Sequence, residues 1–236
     1  MVFSSLTFLL FFFPLTLLFC FIKQDIRWRN GVLLAASLVF YAWGEPIWVL
    51  AMVGSTAVNY FCARMMSQTR RENQRRAWMI IGVATSAAIL FAFKYAAFFA
   101  NTFLGIFRAQ TRFKGLELPI GISFYTFQVI TYTVDVYRRK APPQKRLDDL
   151  LLYISCFPQL IAGPIVQYSD IAAQLRRRTT TPDGFSDGMR RFAAGLGKKV
   201  IFANICGSAL SSMPQAGASP LSIGGAWYAA NMYQWP

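Results

Sequence analysis

Apolar runs about as long as a bilayer is thick, separated by short basic clusters, constrain this chain more than any other feature of it. A helix needs about 20 apolar residues to cross the hydrocarbon core. The first run, Val2–Ile22, has that length. Its opening Met-Val-Phe-Ser-Ser carries no positive charge, and Lys23-Gln24-Asp25 follows instead of a small-residue cleavage site. It therefore reads as a retained span and not as a signal peptide. The second run, Val32–Phe61, is too long for one simple span and is interrupted at Gly44-Glu45-Pro46. Proline removes a backbone donor and disfavours helix in the residue before it. Two helices meeting at that turn are expected, with one kinked helix as the alternative.

Trp78–Ala100 is expected to form a single span interrupted only by Lys94, and Leu118–Tyr137 a fourth apolar region. Leu147–Val166 carries Pro158, Gly163 and Pro164. Broken backbone at membrane depth is tolerated only where protein or a water-filled cavity receives the freed groups, so this segment is expected to be broken or re-entrant. Phe192–Leu210 is a weaker run, and Leu221–Pro236 begins another.

Charge supports the same reading. Only 14% of the 236 residues are charged and 55% are hydrophobic, against about 25% charged in soluble domains. The net charge of +14 could suggest nucleic acid, but the basic residues lie between apolar runs, where they set topology. Residues 23–30, 64–76, 138–146 and 167–199 hold 20 of the 24 Lys and Arg. With the N-terminus outside, 32–61 a hairpin and 147–166 not crossing, all four stretches fall on the cytoplasmic side. That arrangement implies about five crossings plus a re-entrant element. After it, Thr181-Pro182 resembles a helix start, and an amphipathic interfacial helix is expected around Phe185–Val200.

The chain has no histidine, which excludes Ser-His-Asp hydrolysis, Cys-His nucleophiles and His-ligated zinc within it. Cys20, Cys62, Cys156 and Cys206 are far apart in the sequence, each in an apolar stretch, and read as small buried hydrophobes with no metal site. Lys94 is set among aromatics (Phe91-Ala92-Phe93-Lys94-Tyr95). A lysine at membrane depth points to a functional or paired site, with snorkelling as the alternative. Asp135 precedes Arg138 and Arg139 by three and four residues, a spacing that predicts an ion pair on one helix face. Glu45 reads as turn chemistry. Segment 118–128 introduces Gly121, Ser123, Tyr125, Thr126 and Gln128 into an apolar helix, for close packing or for lining a polar cavity. Segment 157–165, with Pro158, Gln159, Gly163 and Pro164, fits a broken helix beside a cavity or tunnel better than an ordinary span.

LPIGISFYTFQVITYTVDVYRR (118–139) and YISCFPQLIAGPIVQY (153–168) resemble characteristic stretches of the membrane-bound O-acyltransferases, most closely the bacterial alginate-acetylating branch. The opening MVFSS with its Phe-rich helix, SLVFYAWGEP (37–46), FKYAAFF (93–99) and GLGKKVIFAN (195–204) add to the resemblance, which runs from Met1 to about Trp227. It implies an all-α polytopic membrane protein of tilted and broken helices around a tunnel, lodged in the bacterial inner membrane. It also implies transfer of an acyl group, with acetyl-CoA as donor and no bound cofactor, onto hydroxyls of an exported polysaccharide such as alginate, with periplasmic partner proteins. The base of that family is a histidine in a downstream Trp-His-Gly motif, so residues 1–236 are expected to be the N-terminal half of the domain, with no catalytic residue of their own. Lys94, Ser123, Tyr125, Gln128, Pro158, Gln159, Gly163 and Pro164 match family motifs and are expected to line the tunnel wall. The competing readings are a transporter or channel component and an inactive fragment.

Overall fold

The computed structural model describes residues 5–106, 118–160, 166–203 and 205. Among these residues the chain is all helical. Two compact units emerge from its backbone contacts, one over Phe12–Arg178 and one comprising residues 2–11 and 179–236.

An apolar helix, Phe8–Ile22, opens with a π-turn (Phe8–Phe12) that leads into α1 (Phe13–Ile22), the first α-helix of the larger unit. Pro14 lies in the first turn of α1, where it has no N–H to return to the preceding turn, and a wider turn takes up the mismatch. Asp25 caps α2 (Ile26–Gly44) by accepting from the Arg27 N–H at 3.3 Å. The expected break follows: α2 ends at Gly44, Glu45 caps it, and α3 (Val49–Gln68) starts after the turn.

The third expected span is corrected. It starts earlier, at Glu72, and it is two helices, α4 (Glu72–Lys94) and α5 (Ala96–Ile106), with Tyr95 as the junction. Then come α6 (Ile122–Tyr137), α7 (Leu147–Ser155) and a single turn, α8 (Phe157–Leu160). The break at Cys156 is the one expected in segment 147–166. Helix α9 (Tyr168–Arg176) closes the unit.

Helices α3, α4 and α6 pack on one another, and α2 packs against α1, α7 and α8. Phe12, Phe40 and Phe157 form an aromatic triad that joins α1, α2 and α8, with ring centroids 5.4–5.7 Å apart. Leu50, Phe61 and Ile80 are more than half exposed, whereas Ser37, Thr56, Asn59 and Thr133 have no accessible surface. Only 11% of the apolar stretch of α4 is buried. A soluble core helix would show the opposite pattern, because water penalises exposed apolar area. Lipid does not, and it favours polar groups paired between helices. By length and composition, α3 and α4 can each cross a membrane.

The centre of this packing is Asn59. Its Nδ2 donates to the Ser55 carbonyl at 2.9 Å and to Ser86 Oγ at 2.8 Å, and its Oδ1 accepts from the Thr133 hydroxyl at 2.8 Å. One amide thereby ties α3 to α4 and α6. Gly82 makes room for it: a Cβ there would lie 2.8 Å from Asn59 Oδ1 and 3.2 Å from Thr133 Cγ2.

In the second unit, α10 (Pro182–Lys198) starts at the expected cap, with Thr181 Oγ1 accepting from the Gly184 N–H at 3.2 Å. It has no buried residue and pairs Arg191 with Asp187 at 3.2 Å, as an amphipathic helix can.

Gly82→Ala should destabilise the detergent-solubilised protein by about 1–3 kcal/mol through overpacking. The same substitution made in an Asn59→Ala background should cost measurably less, because the clashing amide is gone. Thermal melts of the four variants of the cycle check this, and additive losses would refute the contact.

Candidate functional site

Helix α6 is buried along much of its length. One set of its residues, including Val129 and Thr133, serves the packing with α3 and α4. A second set, Tyr125, Gln128, Tyr132 and Asp135, recurs at intervals of three, four and three, which places it along one stripe. Every member is buried. Among the described residues, the Tyr125 hydroxyl, Gln128 Oε1 and Asp135 Oδ2 have no hydrogen-bond partner. The hydroxyls of Tyr41, Ser155 and Tyr168 are likewise buried and unpartnered; Tyr41 lies within electrostatic range of Tyr125, and Tyr168 packs on Tyr132. A buried polar atom without a partner costs about 1–3 kcal/mol. A concentration of them marks a place kept polar for a reason other than stability.

The lower part of the stripe is walled by tyrosines. The Tyr168 ring stands edge-on to Tyr132 at 4.8 Å and to Tyr153 at 5.5 Å. The Tyr132 hydroxyl accepts from the Gln144 N–H at 3.0 Å, and the Tyr153 hydroxyl donates to the Val166 carbonyl at 2.7 Å. Gln159 Nε2 donates to the Tyr153 carbonyl at 2.9 Å, satisfying an acceptor freed where α7 stops. Gln159, Tyr153, Cys156 and Arg178 line a cavity of about 190 Å³ with apolar walls from Leu33, Leu152 and Ile171. Burial lowers Arg178 from the ordinary guanidinium value, yet it remains a cation.

The two motif segments meet at one point. Gly121 takes φ +77° before the first turn of α6, and a Cβ on it would lie 3.1 Å from the Leu160 carbonyl oxygen at the end of α8. Only glycine meets both demands at low cost. Segment 118–128 is therefore helical only from Ile122 onward.

Of the residues expected at a tunnel wall, Tyr125 and Gln128 are fully enclosed on the stripe, whereas Ser123, two residues before Tyr125, is half-buried on a different face of α6. Gln159 faces its own cavity, and Pro158 is exposed. Lys94 is exposed in the last turn of α4, its Nζ 5.4 Å from the Tyr95 ring centroid. A cation there complements the negative end of the helix, and Lys94 stands apart from the other candidates in the sequence and on a different helix. Gly163 and Pro164 lie outside the described residues. Tyr132 and Asp135 were not among the expected wall residues, although the three-four-three spacing reveals them.

The expected Asp135 ion pair is corrected. Helix α6 ends in a Schellman motif, with the Arg139 N–H on the Val136 carbonyl at 3.2 Å and the Lys140 N–H on the Asp135 carbonyl at 3.0 Å. Arg139 takes the left-handed conformation, φ 59°. The chain turns away at this point, so the regular spacing fails; Arg138 and Arg139 are exposed and Asp135 is buried without either.

A second group of polar contacts closes the unit near the ends of α2, α7 and α9. Asn30 Nδ2 donates to Asp149 Oδ1 at 3.2 Å and to the Leu175 carbonyl at 2.9 Å. Beside it, Arg146 Nε donates to Asp148 Oδ1 at 2.9 Å. That hydrogen bond holds the Asp148 carboxyl below the usual carboxylate range. The pair helps the fold above the ordinary carboxylate pKa, and its contribution is lost as pH falls through the lowered value.

No family model matches the chain, and no solved structure matches it. Curated relatives do. The probable alginate O-acetylase AlgI of Pseudomonas aeruginosa is 39% identical over 238 residues, covering 99% of this chain and 45% of the relative. The protein of the same name from Pseudomonas putida is 39% identical over 213 residues, covering 86% and 43%. A peptidoglycan O-acetyltransferase of Helicobacter pylori is 31% identical over 236 residues, covering 86% and 45%. The chain thus spans a little under half the length of these relatives.

Gly121→Ala should lower stability by about 1–2 kcal/mol from the left-handed backbone alone, with a further loss from the Leu160 contact. A melting temperature equal to that of the native chain would refute the geometry.

Proposed function

The chain belongs to the membrane-bound O-acyltransferase family, and from that membership we propose that it is the helical framework of an enzyme transferring acetyl groups to hydroxyls of an exported polysaccharide. The observation that carries this reading is the buried polar stripe on α6. It lies within one of the two segments that resemble the family most closely, and Gly121 sets it against the other. Alginate is the acceptor named for the Pseudomonas relatives and peptidoglycan the one named for the Helicobacter relative. Both present hydroxyls outside the cytoplasm, so a polymer acceptor on that side fits either.

Acetyl transfer needs a base to take the proton of the acceptor hydroxyl as its oxygen attacks the acetyl carbonyl carbon. Thiolate is the leaving group when acetyl-CoA is the donor. No histidine stands among these 236 residues, so the base the family uses is not in this sequence. The contribution assigned here is the wall. Tyr125, Gln128 and Asp135 offer hydrogen-bonding capacity that the fold leaves unused, and Tyr132, Tyr153 and Tyr168 enclose it. Ser123, Pro158 and Gln159 belong to the wider wall in this reading, and Lys94 is its outlying member. In this reading the protein is a multi-pass chain of the bacterial inner membrane with its N-terminus outside, working with periplasmic acetylation partners.

Expressed alone, the 236-residue chain should insert into membranes and transfer no acetyl group from radiolabelled acetyl-CoA. Exchanged for the matching segment of the Pseudomonas aeruginosa relative, it should restore polymer acetylation. A chimera that inserts at native levels and acetylates nothing would sink the reading. In an active chimera, Tyr125→Phe should leave the melting temperature unchanged or raised while acetylation falls about tenfold or more, because the hydroxyl it removes has no structural partner.

A further inference from the structure

The turn between α3 and α4 and the end of α6 enclose a cavity of about 650 Å³. Arg70, Arg75 and Arg139 line it, together with Ser67 and Thr69. None of its lining residues is acidic. Arg75 is the fixed point. It is 7% exposed, donates to Glu72 Oε2 at 2.9 Å and to the Tyr137 carbonyl at 3.0 Å, and lies over the Tyr137 ring at 5.7 Å. Glu72 offsets its charge from outside the cavity. Arg70 and Arg139 are exposed, and no ion pair engages either of them among the described residues. Two uncompensated guanidinium groups therefore flank a third that is held in place. The rest of the lining is apolar, from Met66, Val136, Ala141, Pro142 and Pro143.

We propose that this cavity binds the headgroup of an anionic phospholipid, its phosphate among the three arginines and its glycerol and ester region against the prolines. Guanidinium forks match phosphate oxygens in geometry as well as charge. The position favours a lipid over a soluble phosphate. The cavity sits where α3 ends and α4 begins, and these are the two helices long and apolar enough to cross a membrane. That is the level of the headgroups, and a basic pocket between helices there is suited to them. A lining that combines cations with apolar residues suits a molecule that itself combines a charged headgroup with apolar chains. The inference rests on the reading of α3 and α4 as spans, and goes beyond the acetyl-transfer proposal.

The test is native mass spectrometry of the whole chain released from vesicles of phosphatidylcholine with added phosphatidylglycerol. The wild type should retain phosphatidylglycerol through delipidation. Arg139→Gly removes one guanidinium and suits the left-handed φ, so it should fold at least as well as the wild type; it should lose retained lipid, and Arg70→Gln with Arg139→Gly should lose about tenfold, equivalent to about 1.4 kcal/mol. Arg190→Gln with Arg191→Gln, which removes equal charge from α10, should retain lipid as the wild type does. Equal loss in both double variants would reduce the effect to bulk charge and overturn the proposal. So would undiminished retention in the Arg70 and Arg139 variant, or displacement of the lipid by inorganic phosphate or glycerol phosphate at equal concentration. Carbonate extraction of the membranes is run beside it. A chain that washes out has lost the spanning reading, whereas one that stays without lipid preference has lost only this site.

Discussion

A single side-chain amide, that of Asn59, is the interaction on which the packing of this chain turns. In water, apolar faces hold helices together. In lipid they do not, because hydrocarbon is available everywhere, and association relies on close packing and interhelical hydrogen bonds worth about 0.6 kcal/mol each, up to about 1.7. Asn59 uses both of its donor hydrogens and its acceptor, and reaches three helices at once. Gly82 supplies the close approach that the amide requires. The position of α6, and therefore of its polar stripe, follows from that junction.

The stripe and the junction use the same helix in opposite ways. At Thr133 every polar group is paired, and the result is structural. At Tyr125, Gln128 and Asp135, one or more polar atoms per residue remain without a partner, and the result is capacity to bind. Two registers of one helix thus divide the labour between holding the fold and presenting chemistry. Likeness to curated relatives named as O-acetylases of polymers gives that capacity an occupant to be tested.

Much of this architecture is legible in the sequence where backbone chemistry is explicit. Gly44-Glu45-Pro46 marks the end of α2, Thr181-Pro182 marks the start of α10, and Pro158 accompanies the break between α7 and α8. The helix end at Lys94 is not legible, because neither glycine nor proline marks it. Tyr95 joins the two helices with φ −119° and ψ −16°, a conformation open to any residue. The Asp135 pairing fails for a related reason. Spacing arguments assume that the helix continues, and a non-glycine residue, Arg139, adopts the left-handed turn that ends it. Asn59 shows a third limit: a lone polar residue inside a long apolar run draws little notice until three helices converge on it.

The contact between Gly121 and the Leu160 carbonyl has a mechanical meaning. Where the first turn of α6 meets the last turn of α8, glycine lets the two backbones approach more closely than any side chain would allow. Interiors packed this closely transmit displacement instead of absorbing it. A close backbone contact of this kind joins the broken segment to the helix that carries the polar stripe, so the two form one packed piece at that point.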